Sequence, residues 1–148
     1  MIYKKNDNLN PQICKVEISP VQDVLSVNFG ENPVYCSVNF KPGGLGWNLV
    51  YASPGKIHFE EEQQDDPAGP FFIQKLEFLF PGEDESTRSM LDNMENQRYL
   101  VSITFNSGIR KLLGDLENPC TLKMSFAVDK AGRIFTFQRR SVDPAYLL

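Results

Sequence analysis

RYLVSITFNSGIRKLLGDLENPCTL, Arg98 to Leu122, is the stretch on which the fold turns. Tyr99, Val101, Ile103 and Phe105 alternate with Leu100, Ser102 and Thr104, which is the period of a strand whose side chains point to opposite faces. Asn106-Ser107-Gly108 suits a short loop with glycine in the left-handed position, and IRKLLG runs back from it, so the segment reads as a β-hairpin. GDLENPC follows, with Asp115 and Glu117 between Gly114 and Asn118. No histidine, lysine or glycine-rich phosphate cradle stands beside these carboxylates. The run therefore reads as a connection between hairpins, stiffened by Pro119.

Working outward, the same period recurs. Cys14, Val16 and Ile18 share one face of ICKVEI, and Leu25, Val27 and Phe29 share one face of VLSVNF. In VYCSVNF the shared face holds Val34, Cys36, Val38 and Phe40; in FFIQKLEFLF it holds Phe72, Gln74, Leu76, Phe78 and Phe80. TLKMSFAV and RIFTFQ flank Asp129-Lys130-Ala131-Gly132, a second hairpin turn in which Gly132 is expected at positive φ. KPGGLGWNL, Lys41 to Leu49, is a loop, and it lacks the G-K-[ST] of a phosphate loop. EEEQQDDPAGP, about residues 60–70, reads as a long exposed acidic loop. Only EDESTRSMLDNMEN has helical character, with Asp84 or Ser86 as cap and Met90, Leu91 and Met94 as the apolar stripe. The expected fold is mainly β: one domain over 1–148, an antiparallel β-sandwich or partly open β-barrel, a short α-helix near residues 84–95, and a flexible arm over about 1–12.

The totals narrow the function. With 148 residues the chain is long enough to bury one core. A net charge of -4 argues against a nucleic-acid partner, because that binding rests on clustered cations neutralising phosphates. Arg110-Lys111 and Arg139-Arg140 are too few to reverse it and read as solvated strand faces. MIYKKNDNLNPQ has no apolar run behind its lysines and is not a secretory signal. No window approaches the roughly 18 apolar residues of a membrane span. Cys14, Cys36 and Cys120 are scattered, which suits free thiols and neither a disulfide framework nor a zinc site.

Chemistry finds few footholds. His58 is the only imidazole, and there is no G-x-S-x-G elbow for nucleophilic catalysis. Alternation places His58, Glu60 and Glu62 on one strand face, which leaves a metal-assisted hydrolase as one alternative; the acidic run lacks calcium-loop spacing. Trp47 with Tyr51, or Phe71 and Phe72, could make a sugar platform, so a glycan- or protein-binding β module is another. No cofactor is expected. A polar N-terminal arm, an acidic loop and the apolar tail DPAYLL are features by which assembly subunits grip neighbours. The expected interface residues are Tyr3, Trp47, Asp65, Asp66, Tyr146, Leu147 and Leu148, with copies of the same chain or other structural proteins as partners.

Three pieces carry a family resemblance: WNLVYASPGKIHFEEEQQDDPAGPFFIQKLEFLFPG, RYLVSITFNSGIRKLLGDLENPCTLKMSF and GRIFTFQRRSVDPAYLL. Their order, with an aromatic strand, a Gly-x-x-x-x-P connection and a closing F-x-x-x-S-x-x-P-A-Y segment, resembles small proteins of prophage-like regions in Bacteroides-type bacteria. The resemblance covers about the last two-thirds of the chain. It implies a non-enzymatic virion structural protein of the tail, neck or baseplate, oligomeric, made in the bacterial cytoplasm and carried in the virion. It implies no active site.

Overall fold

A computed structural model describes residues 12–30, 35–44, 46–52, 56–81, 93–94, 97–127 and 132–148. The architecture is mainly β and antiparallel, as the alternation requires. In chain order the strands are β1 (Ile13–Pro20), β2 (Val24–Phe29), β3 (Cys36–Phe40), β4 (Asn48–Val50), β5 (His58–Asp66), β6 (Gly69–Pro81), β7 (Arg98–Phe105), β8 (Arg110–Leu113), β9 (Cys120–Ala127), β10 (Gly132–Ser141) and β11 (Tyr146–Leu147). The expected helix near 84–95 lies outside the described residues except for Asn93 and Met94, which are helical; a 3-10 turn spans Val21–Asp23 between β1 and β2. The expected arm over 1–12 also lies outside them, apart from Gln12.

β7 organises the molecule. One of its edges pairs with β1 from Ile13↔Phe105 to Pro20↔Tyr99, and β4 lies outside β1. Its other edge is shared: Val101–Thr104 pair with β8, whereas Arg98 and Tyr99 pair with Thr121 and Cys120 of β9. Beyond β9 the sheet continues through β10 and β6 to β5, and beyond β8 it ends at β11. Splitting one edge between two strands lets the sheet fold over on itself. Gly114 makes the split possible. Its φ is +101°, and a Cβ there would lie 3.1 Å from Leu100 Cδ2 and 3.4 Å from the Cys120 nitrogen.

The core fills the fold. Val16, Ile18, Val101, Ile103 and Leu113 from one half meet Leu76, Phe78, Leu122, Phe135 and Phe137 from the other in a single cluster. Phe78, Phe135 and Phe137 are fully buried, and each such side chain contributes about 1.5–3 kcal/mol relative to exposure. The arrangement is sandwich-like. β2 and β3 form a separate hairpin covering the opposite face of β7 and β8, where Val24, Leu100, Leu112 and Tyr146 make a second cluster. β7 is consequently buried on both faces, including Ser102.

Several expectations are corrected. The acidic run is not a loop: Glu60 to Asp66 belong to β5, which pairs with β6 in register through Asp66↔Gly69 around a turn at Pro67-Ala68. A bulge between Ile13 and Lys15 turns Cys14 outward, so Ile13 joins Val16 and Ile18 inside. A second bulge between Val24 and Ser26 buries Val24 and leaves Leu25 exposed. Gly108 has the expected positive φ, +89°. Gly132 does not; it opens β10, paired with Ala127 and Pro81.

Candidate functional site

The tail anticipated as a free grip is built into the fold. Tyr146 and Leu147 pair with Leu112 and Lys111 of β8, and the Leu148 amide donates to the Arg110 carbonyl at 3.1 Å. Tyr146 is buried, with its ring edge-on to Phe29 at 4.9 Å; Leu147 and Leu148 are half-buried. Glu61 anchors the approach to this strand. Its Oε1 accepts from the Ala145 amide at 2.8 Å and from Gln74 Nε2 at 3.1 Å, while Gln74 Nε2 also donates to the Asp143 carbonyl at 3.3 Å. Three elements meet at that carboxylate, which explains a half-buried glutamate on an edge strand.

Trp47 is half-buried. It packs on the second cluster, edge-on to Phe40 at 5.5 Å. Asp65 points outward from β5, and Tyr3 lies outside the described residues. His58, Glu60 and Glu62 do share one face of β5, and that face is exposed. Among the described residues no three His, Cys, Asp or Glu side chains are grouped to hold a metal ion.

Asp66 and Tyr146, far apart in sequence, line one cavity of about 500 Å³ together with Asp115, Glu117, Asn118 and Arg139. The acidic connection forms one wall. It is shaped by Asp115, whose Oδ1 accepts from the Asn118 amide at 2.6 Å, and tied down where Asn118 Nδ2 donates to the Arg140 carbonyl. Arg140 guards another wall, bonded to Asp66 Oδ2 at 2.8 Å with its guanidinium 3.6 Å from the centre of the Phe71 ring. The Ala68 amide at the β5–β6 turn and Arg140 together hold the Asp66 carboxyl below its usual range.

Arg139 is the unexpected member. Phe135, Phe137, Arg139 and Ser141 share the inner parity of β10, so the arginine read as solvated is 5% exposed. Its Nη2 is 3.9 Å from Asp115 Oδ2, too long for a hydrogen bond, and its Nε and Nη1 have no acceptor among the described residues. A buried donor left unmet costs about 1–3 kcal/mol, so this guanidinium is held at a standing expense to the fold. The Tyr146 ring lies 5.8 Å away; burial raises its phenol, and side-chain hydrogen bonding with Arg139, together with the guanidinium charge, opposes that rise. Strand parity was the signal that could have found Arg139.

A second feature lies at β4. Among the described residues β4 pairs only with β1, and none of them pairs along its outer edge. Leu49, directly opposite Glu17, is 68% exposed, and Tyr51 just beyond the strand is 63% exposed. They border a charged cluster in which Glu17 Oε1 is 3.6 Å from both Lys15 Nζ and Arg110 Nη2, and Arg110 donates to Ser102 Oγ at 3.1 Å. Among the described residues no helix is long and apolar enough to cross a membrane. Comparison with known proteins found no family model, curated protein or solved structure that matches this chain.

Proposed function

We propose that this chain is a non-enzymatic virion structural subunit, a component of a tail, neck or baseplate, that assembles with copies of itself or with neighbouring virion proteins. The observation that carries the assembly part is the β4 edge, unpaired among the described residues, with Leu49 and Tyr51 projecting beside it. Unpaired strand edges invite pairing with another chain, and most are blunted by charge. β5, a nine-residue edge strand, is blunted: Glu60, Glu62 and Asp65 are exposed along it, so two copies repel there. β4 has no charged residue of its own, which suits it to a partner strand. The virion part rests on the resemblance of the feature order to proteins of prophage-like regions.

Multi-angle light scattering and electron microscopy of the purified chain test assembly, and mass spectrometry of purified virions tests location. Discrete oligomers and presence in particles are the expected results. A monomer at every accessible concentration, together with absence from virions of a phage that carries the gene, would end the proposal.

A further inference from the structure

We infer that the Arg139 cavity is a binding site for a small zwitterion of the amino-acid type, with a carboxylate directed inward and a cationic group at the mouth. The inward half follows from Arg139. Its side chain is 1% exposed and lines the cavity, and two of its nitrogens lack acceptors among the described residues. Carboxylate oxygens are the natural complement to such a guanidinium, because charge-assisted bonds to a planar fork are short and strong. Asp115 does not fill this role at 3.9 Å.

The outward half follows from the mouth. Arg140 is already committed to Asp66, whereas Glu117 and Asp143 line the cavity without a cationic partner among the described residues. Among the described residues the Asp143 carboxylate engages only the Tyr146 hydroxyl, at 3.5 Å. A simple anion would meet these two negative charges on its way in. A ligand with a positive end satisfies them and places its carboxylate at the base. The cavity volume of about 500 Å³ is within the range of small-molecule sites and admits a lysine or arginine, free or as the last residue of a peptide. This inference is independent of whether the chain assembles.

The test is a two-dimensional ¹H–¹⁵N titration of the full chain, following the Arg139 Nε–H resonance and the Asn118 amide. L-Lysine should shift both saturably, and acetate should do so only weakly. Arg139→Met should abolish the effect. Glu117→Gln, on the exposed rim, should fold normally and weaken lysine binding about two- to five-fold while leaving acetate binding the same or slightly tighter. A lysine-ended tetrapeptide with a free or an amidated C-terminus separates the two sources of the same chemistry: saturable binding of free lysine or of the free-acid peptide supports the site. No shift of Arg139 Nε–H with either, equal effects of lysine and acetate, or full binding by a folded Arg139→Met variant would overturn it.

Discussion

Replacing Leu49 and Tyr51 with serine together is the sharpest probe of the β4 edge. Burying a leucine fully contributes about 1.5–3 kcal/mol, and Leu49, with 68% of its surface still exposed, has roughly two-thirds of that left to gain from a partner. Tyr51 at 63% exposure has a similar reserve, of about 1–2 kcal/mol. The double variant should therefore weaken association by about 2–4 kcal/mol, roughly 30- to 1000-fold in dissociation constant. Sedimentation equilibrium across a dilution series reads that change directly. Because both side chains are exposed, the stability of the separate subunit should move by less than about 0.5 kcal/mol, which a urea melt at low concentration checks. Leu25→Ser with Val142→Ser is the control: these side chains are 59% and 76% exposed and lie away from β4. Equal loss of association in the control pair, or none in the Leu49 and Tyr51 pair, would refute the assignment of this edge.

Three further outcomes follow from the same geometry. Glu61→Ala removes the acceptor for the Ala145 amide and for Gln74, and should cost about 2 kcal/mol or more in urea melts while speeding hydrogen exchange at Ala145. Gly114→Ala should lose about 1–3 kcal/mol from its positive φ alone, with extra strain against Leu100 visible as shifted Leu100 methyl resonances. Alkali should unfold the protein: burial pushes Cys36 up to about 11 and Tyr99 and Cys120 up to about 12, above ordinary values of 9.0 and 10.0. These groups are raised in the fold, so their contribution is complete below pH 9.0 and is lost as pH climbs toward about 12, which urea midpoints across that window would show.

Much of the architecture was legible because most strands bury one face and show it as alternation. The hairpin over Arg98 to Leu113 and the turn at Gly108 follow directly from that pattern. Period two fails where a strand bulges, since one extra residue swaps the faces beyond it. That is why Cys14 and Leu25 face outward while Ile13 and Val24 are buried. β5 was illegible for a different reason. Its polar side chains meet polar groups supplied by the far end of the chain: Glu61 accepts from the Ala145 amide, and Asp66 accepts from Arg140. A strand that packs against polar partners carries no apolar alternation and looks like a loop.

The same reasoning explains how a charged residue came to be misread at the candidate site. Hydropathy assigns Arg139 to solvent, whereas parity assigns it to the face of Phe135 and Phe137. The two signals conflict, and the structure follows parity, because moving Arg139 outward would slip β10 by one residue and expose Phe135 and Phe137 as well. Losing the burial of two phenylalanines costs about 3–6 kcal/mol, at least as much as the two unmet donors of the guanidinium. The register is thus secured by the aromatics, and Arg139 is carried into the interior with them. A buried cation retained at that expense, at the base of a cavity whose mouth is acidic, is where sequence pattern and local chemistry disagree, and such disagreements concentrate at functional positions.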